Sequence, residues 1–271
     1  MSESLVVWID DPAHASASVL GGKFASLAEM ACAGFDVPAG FAVTTAAWRR
    51  FVSENGLEER AAAARATDPE DLEAIEAAAA GMAQAIESSP LPADVEAAVN
   101  DAYARLEELA GAADTPVAVR SSGVAEDLGG ASFAGQYETF LWVMGAEEVC
   151  RHVRRCWTGL FSAPVLTYRP AGEGPAAAEQ GMAVGVQRMV VPRAAGVMFT
   201  LDPLNGDRSK IVMEGAWGLG EAVVGGEVTP DRYRVDKVTL EVLGRELSAK
   251  EVECRFDRES DGVVRSHPSR S

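Results

Sequence analysis

The residues of this 271-residue chain best suited to chemistry form the run Pro116-Val117-Ala118-Val119-Arg120-Ser121-Ser122-Gly123-Val124-Ala125-Glu126-Asp127, continued by Ala131-Ser132-Phe133-Ala134-Gly135-Gln136-Tyr137-Glu138-Thr139-Phe140. A short apolar strand delivers Arg120, whose guanidinium is permanently charged and can grip the oxygens of a phosphate two at a time. Small residues and glycines follow at once. Where side chains are this small, backbone N–H groups can close on an anion as a concave nest. The pattern suits a polyphosphate cradle that needs no excess of lysine. Taken alone, Arg-Ser-Ser-Gly also reads as an exposed turn leaving a strand, and it is the surroundings that favour the cradle.

A second cation stands near the N-terminus. Gly21-Gly22-Lys23 precedes Phe24, Leu27, Met30 and Ala31 at helical spacing, and Gly34 followed by Pro38 supplies a stop. Lys23 is thus expected at a helix start, where its charge adds to the unpaired N–H groups of the positive helix end. This is not a Walker loop, because position 17 is not glycine and Phe24 replaces the required Ser or Thr.

Helices and strands must position these residues. Leu72, Ile75, Met82 and Ile86 mark one face of an alanine-rich helix, Val95, Val99, Leu106 and Leu109 mark a second, and Ser88-Ser89-Pro90-Leu91-Pro92 separates them. The pair reads as an amphipathic helical hairpin whose alanine stripes are packing surface. Beyond Thr115 the texture changes to short β-type runs: Val117 to Arg120, Thr139 to Val143, Ala183 to Val191, Gly196 to Leu201, Lys210 to Glu214 and Arg232 to Val235. A helix around Glu147 to Phe161 interrupts them. This is an α+β pattern. Pro170-Ala171-Gly172-Glu173-Gly174-Pro175 is the best candidate for a connection between subdomains.

Charge and composition narrow the function. The formal charge is −17, yet residues 54–114 hold fifteen acidic side chains against Arg60, Arg65 and Arg105, a net −12, leaving −5 for the remainder. The acidity belongs to the helical lobe, serves solubility and argues against nucleic acid as a partner. No apolar run reaches the roughly 18 to 20 residues of a membrane helix, and Met1-Ser2-Glu3-Ser4 lacks the basic start of a signal peptide, so a cytoplasmic location is the expectation. Cys32, Cys150, Cys156 and Cys254 show no Cys-x-x-Cys spacing and do not cluster with His14, His152 or His267, which disfavours zinc and a disulfide framework. His152 is read as part of a polar helix face, and none of the histidines stands in the context of a phosphoryl carrier.

Together with Val37-Pro38-Ala39-Gly40-Phe41, Gly196-Val197-Met198-Phe199-Thr200-Leu201-Asp202-Pro203 and Gly215-Ala216-Trp217-Gly218-Leu219-Gly220-Glu221, these segments occur in an order that resembles the nucleotide-binding half of the dikinase family. That family includes phosphoenolpyruvate synthase, pyruvate phosphate dikinase and rifampin phosphotransferase, and the resemblance runs from about Gly21 to Lys237. It implies an ATP-grasp fold, with two α+β lobes and the helical hairpin as an insertion. Residues 1–115 would be the N-terminal lobe and 116–271 a β-rich portion, incomplete at its C-terminus. Carried over position by position, Lys23 and Arg120 would contact ATP phosphates, Gly135 and Thr139 would line the phosphate loop, and Gln187 would sit on the adenine-side hinge beside Met189 and Val190.

Other candidates stay open. Gly215 to Glu221 lacks the third small residue of a dinucleotide fingerprint, so its glycines serve either a loop closing over the nucleotide, with Glu221 as a polar contact, or a structural turn. Glu126 and Asp127, and the Asp202-Pro203 turn, are left without a role. The pair of an Asp-x-Glu segment and a following Leu-Gln-x-Arg-Pro strand with which the family closes its nucleotide domain does not occur, so ligands for Mg²⁺ are expected mostly outside this chain, and no residue is assigned as catalytic or as a metal ligand. The resemblance therefore implies the ATP-binding module of a dikinase-type phosphotransferase. ATP would phosphorylate a histidine on a swivelling domain or subunit, AMP would be released, and the acceptor (pyruvate, a phenol-type compound or a rifamycin) would be chosen by a further domain. The alternative is a module that binds nucleotide without catalysis.

Overall fold

The computed structural model describes residues 3–11, 16–124, 138–167, 181–249, 251–257 and 262–266. The chain divides into two compact units, Met1–Met189 and Val190–Ser271.

The first unit is built on a five-stranded sheet. Its strands are β1 (Val6–Trp8), β2 (Gly40–Val43), β3 (Val117–Gly123), β4 (Thr139–Val143) and β5 (Met182–Arg188), in the order β1-β2-β5-β3-β4. Every neighbouring pair is antiparallel. The change of texture at Thr115 is therefore not where compactness divides, because β3, β4 and β5 complete the sheet that β1 and β2 begin. A sequence window sees composition change there; only the hydrogen-bond ladder shows that strands more than a hundred residues apart are neighbours.

Strand alternation gives this sheet two unlike faces. Phe41, Val43, Val117, Val119, Val184 and Val186 point one way into the main core, all fully buried. Against them pack α2 (Thr45–Glu54), α3 (Glu58–Ala66), α4 (Leu72–Ser88), α5 (Ala93–Ala110), α6 (Ala146–Thr158), the 3-10 turn Gly159–Phe161 and α7 (Ala163–Thr167). Helix α4 starts where the Asp71 carboxylate accepts from the Ala74 N–H at 3.0 Å, and α5 stops at Gly111, whose φ of 67° favours glycine. Both pack on α6, so the expected hairpin is held together largely through a third helix rather than by its own stripes. Helix α6 earns that central place from Val149, Val153, Cys156 and Trp157, spaced along one side and all buried, with Trp157 meeting Trp48 and Phe51 at centroid distances of 5.5 and 5.0 Å.

The opposite face is covered by α1 (Ala17–Cys32), through Leu20, Phe24, Ala25 and Ala28. Helix α1 is not continuous: Gly21 has φ 70° and ψ 166°, a conformation open essentially to glycine alone, so a short turn of helix is followed by a break and a new helical start at Gly22.

The second unit contains the four-stranded antiparallel sheet β6 (Ala194–Phe199), β7 (Lys210–Trp217), β8 (Asp231–Asp236) and β9 (Val242–Glu246), the short helix α8 (Glu221–Val224) and the hairpin β10 (Glu253–Asp257) with β11 (Gly262–Ser266). Ion pairs bridge the sheet, Arg232 to Glu214 and Lys210 to Asp236. The architecture as a whole is α+β, as the sequence pattern indicates.

Candidate functional site

Four of the five expected binding residues fall on one face of the first unit's sheet, or on the turn docked against it. Arg120 lies directly opposite Thr139 on β4 and opposite Gly185 on β5. Gln187 lies opposite Ala118 on β3 and Gly40 on β2, two residues along from Arg120 and so about 7 Å away along the strand. These rows point toward α1, not into the main core. Gly135 lies outside the described residues, as do Glu126 and Asp127.

Close approach of α1 to this face demands glycine at two positions. A Cβ at Gly185 would sit 1.6 Å from the Phe24 ring, and one at Gly21 would sit 2.0 Å from the Ser122 carbonyl oxygen. With both absent, Phe24 rests against Gly185 of β5 and the Gly21-Gly22-Lys23 turn seats on β3. The Phe24 N–H donates to the Ser122 hydroxyl oxygen at 3.2 Å. Lys23 thus stands at a helical start beside the strand that carries Arg120, as its sequence context suggests.

The cradle itself is built differently from the sequence expectation. Strand β3 does not end at Arg120 but continues to Gly123, with Ser121, Ser122 and Gly123 paired to Val184, Ala183 and Met182. The Ser121 N–H donates to the Glu138 carbonyl at 3.3 Å, and both serines are buried. Residues 121–123 are ladder residues, not an open nest of donors, because their pairing partners on β5 are invisible to a local reading. Ser121 turns to the opposite face, where its hydroxyl donates to the Glu138 carbonyl and bonds the Cys156 thiol. Burial pushes that thiol up to about 12, which makes Cys156 a protonated core group and not a nucleophile. The charges of Arg155 and Lys23 also act on it.

Arg120 is the most telling member. It is partly buried, and among the described residues no side-chain hydrogen bond or ion pair engages its guanidinium. Guanidinium groups taken out of bulk water are ordinarily paired. Among the described residues Arg120 departs from that pattern.

Gln187 is partly committed: its Nε2 donates to the Pro38 carbonyl at 3.1 Å. A carbonyl only accepts, so the amide orientation is fixed with Oε1 left as an acceptor. The chain passes between the two compact units just beyond it, at Met189 and Val190.

His152 departs from expectation. It is buried, not part of a solvated face, and packs edge-on against Phe140 with centroids 4.7 Å apart. Desolvation lowers its pKa, and its Nδ1 lies 2.8 Å from the Glu148 carbonyl, which requires a proton on that nitrogen. The helical period places position 152 beside Val149 and Val153, a signal that the charged neighbours Arg151, Arg154 and Arg155 obscure.

In the second unit one glycine of the Gly215 to Glu221 segment, Gly218, answers to packing. Gly218 has φ 75°, a Cβ there would meet the Cys254 carbonyl oxygen at 2.0 Å, and Leu219 N–H donates to that same oxygen at 2.6 Å. Glu221 opens α8 and is exposed. Asp202 is buried and accepts from Leu204 N–H at 3.0 Å, which holds the turn after β6. Among the described residues no group of three or more His, Cys, Asp or Glu could hold a metal ion. None of the described helices is long and apolar enough to cross a membrane.

Fold and site together define an α+β module whose sheet face carries Arg120, Thr139 and Gln187 beside the Lys23 turn. Residues 17–270 match the family model described as the pyruvate phosphate dikinase AMP/ATP-binding domain, and the chain belongs to that family. It is 41% identical over 255 residues to a probable phosphoenolpyruvate synthase of Staphylothermus marinus, covering 93% of this chain and 30% of that protein. It is 43% identical over 265 residues to the phosphoenolpyruvate synthase of Aeropyrum pernix, covering 95% and 32%. A rifampicin phosphotransferase from a Streptomyces species is 44% identical over 255 residues, covering 92% and 28%. The chain thus spans about a third of the length of these relatives.

Proposed function

We propose that this chain is the ATP-binding module of a dikinase-type phosphotransferase. The observation that carries the proposal is the partly buried guanidinium of Arg120, unpaired among the described residues, on the same sheet face as Thr139 and Gln187 and beside the turn that holds Lys23. Arg120 grips phosphate oxygens through its planar fork, and Lys23 adds a compact positive charge beside it. The Thr139 hydroxyl supplies a neutral donor at the strand opposite, and Gly135 extends the phosphate loop. The acceptor Oε1 of Gln187 suits the exocyclic amine of adenine, which donates.

These residues bind and orient; the chemistry needs partners. ATP would phosphorylate a histidine on a swivelling domain or subunit, a second cleavage would release AMP, and the phosphoryl group would pass to an acceptor held by a third domain. Family membership and relatives three times as long support a module of a larger enzyme. Mg²⁺ would belong to ligands outside the described residues. A cytoplasmic setting is part of the proposal, and the metabolic enzyme names of those relatives support it.

Calorimetric titration with ATP tests the site. Arg120→Ala should weaken binding by about 1.5–3 kcal/mol, the worth of a hydrogen bond to a charged group. Arg49→Ala, in α2 and paired with Glu3 at the surface, should leave affinity unchanged. Equal affinity of both variants for ATP would remove Arg120 from the site, and with it the proposal.

A further inference from the structure

The two serines after Arg120 are adjacent in sequence and opposite in direction. Ser121 faces the Glu138 carbonyl, one residue before Thr139; Ser122 faces the break in α1, against Gly21 and the Phe24 N–H. The break leaves a helical start at Gly22 without a capping side chain, because the residue in the cap position, Gly21, has none. A cap residue normally accepts a hydrogen bond from the N–H two or three positions into the helix. Phe24 is the third residue counted from Gly21, and its N–H is taken by Ser122, 98 residues away in sequence. Ser122 is fully buried, so this bond does not compete with water.

From this juxtaposition we propose that Ser122 is a positioning residue for nucleotide binding: it caps the second segment of α1 from a neighbouring strand and so holds Lys23 in register with Arg120. Its effect on a phosphate ligand runs through Lys23, since the hydroxyl itself is spent on Phe24 and faces α1 from within the sheet. Loss of the hydroxyl frees the turn, and Lys23 is then no longer pre-organised beside the strand that carries Arg120. The inference rests on the nucleotide-binding role proposed above.

The test is a set of ATP titrations on the full chain and on Ser122→Ala, Lys23→Ala, Arg120→Ala and the two double variants that combine Ser122→Ala with each cation change, with thermal melting recorded for each. Ser122→Ala should weaken ATP about tenfold. In the Lys23→Ala background the same change should cost less than twofold, whereas in the Arg120→Ala background it should again cost about tenfold. A tenfold cost in both backgrounds would show a serine that merely stabilises the fold, and would overturn the positioning role while leaving the nucleotide site intact. No measurable binding of ATP by the unmodified chain would overturn both. If Ser122→Ala does not fold, Ser122→Cys keeps the volume with a weaker acceptor, and its loss of affinity should likewise vanish in the Lys23→Ala background; persistence there would overturn the proposal.

Discussion

The two faces of the first unit's sheet share the same strands and obey different rules. On one face Val117, Val119, Val184 and Val186 meet Trp157 and its aromatic neighbours in the main hydrophobic core. On the other, the residues alternating with them are Ala118, Arg120, Ser122, Gly185 and Gln187. Large β-branched side chains fill one face; small or polar ones line the other, with Phe24 as the principal apolar cover. Period-two alternation lets one strand serve the core with one face and carry the proposed site on the other, since a change at an odd position on β3 does not reach the residues at even positions directly.

That division can be broken most forcefully from the core side. Trp157→Ala removes a fully buried indole and its hydrogen bond to the Met182 carbonyl. A loss of about 3–5 kcal/mol in urea unfolding is expected, with ATP affinity of the folded fraction little altered. A large change in that affinity would mean the faces are coupled.

Gly185→Ala tests the one place where the faces should not separate cleanly. The new methyl collides with the Phe24 ring and can be relieved only by moving α1. About 1–3 kcal/mol of stability should go, together with ATP affinity, because Lys23 precedes Phe24. Retained affinity in the destabilised variant would show that the Lys23 turn is not set by this contact.

A smaller effect is expected from pH. Burial holds His152 below its ordinary pKa of 6.5. As pH falls through that value the unfolded chain takes up the proton first, so stability should decline below about pH 6.5 until the folded-state pKa is passed, and should be insensitive to this group above it. Denaturation midpoints between pH 7.5 and 5.5 should fall more steeply for the native chain than for His152→Gln; equal slopes would assign the pH response elsewhere.

Least of all should follow from neutralising Glu73 and Glu76, which are exposed on α4. With screening over about 8 Å at physiological salt, ATP affinity should stay within twofold while solubility changes. A tenfold shift would show that the acidic helices share the field of the site.

Much of this was legible before any coordinates. Arg120 on a strand and Lys23 at a helical start follow from a valine run and from the Gly-Gly step before an amphipathic pattern, both local signals. The burial of His152 was obscured by three arginines within three residues. The pairing of Ser121 to Gly123 with β5 was not legible at all, because nothing near residue 121 names residues 182–184 as its partners.

By itself the sequence determined the α+β class, the order of most elements, the two cations and the segregation of negative charge into helices α3 to α5, since each depends on propensity, periodicity or composition over a dozen or so residues. Tertiary structure alone decided that the compact division falls at Met189 and not at Thr115, that Ser122 caps a helix begun 100 residues earlier, and that the Pro38 carbonyl orients Gln187. The reason is common to all three. Hydrogen bonds and close contacts between distant segments form only when the sheet brings those segments together, and no local pattern records which strand will be the neighbour.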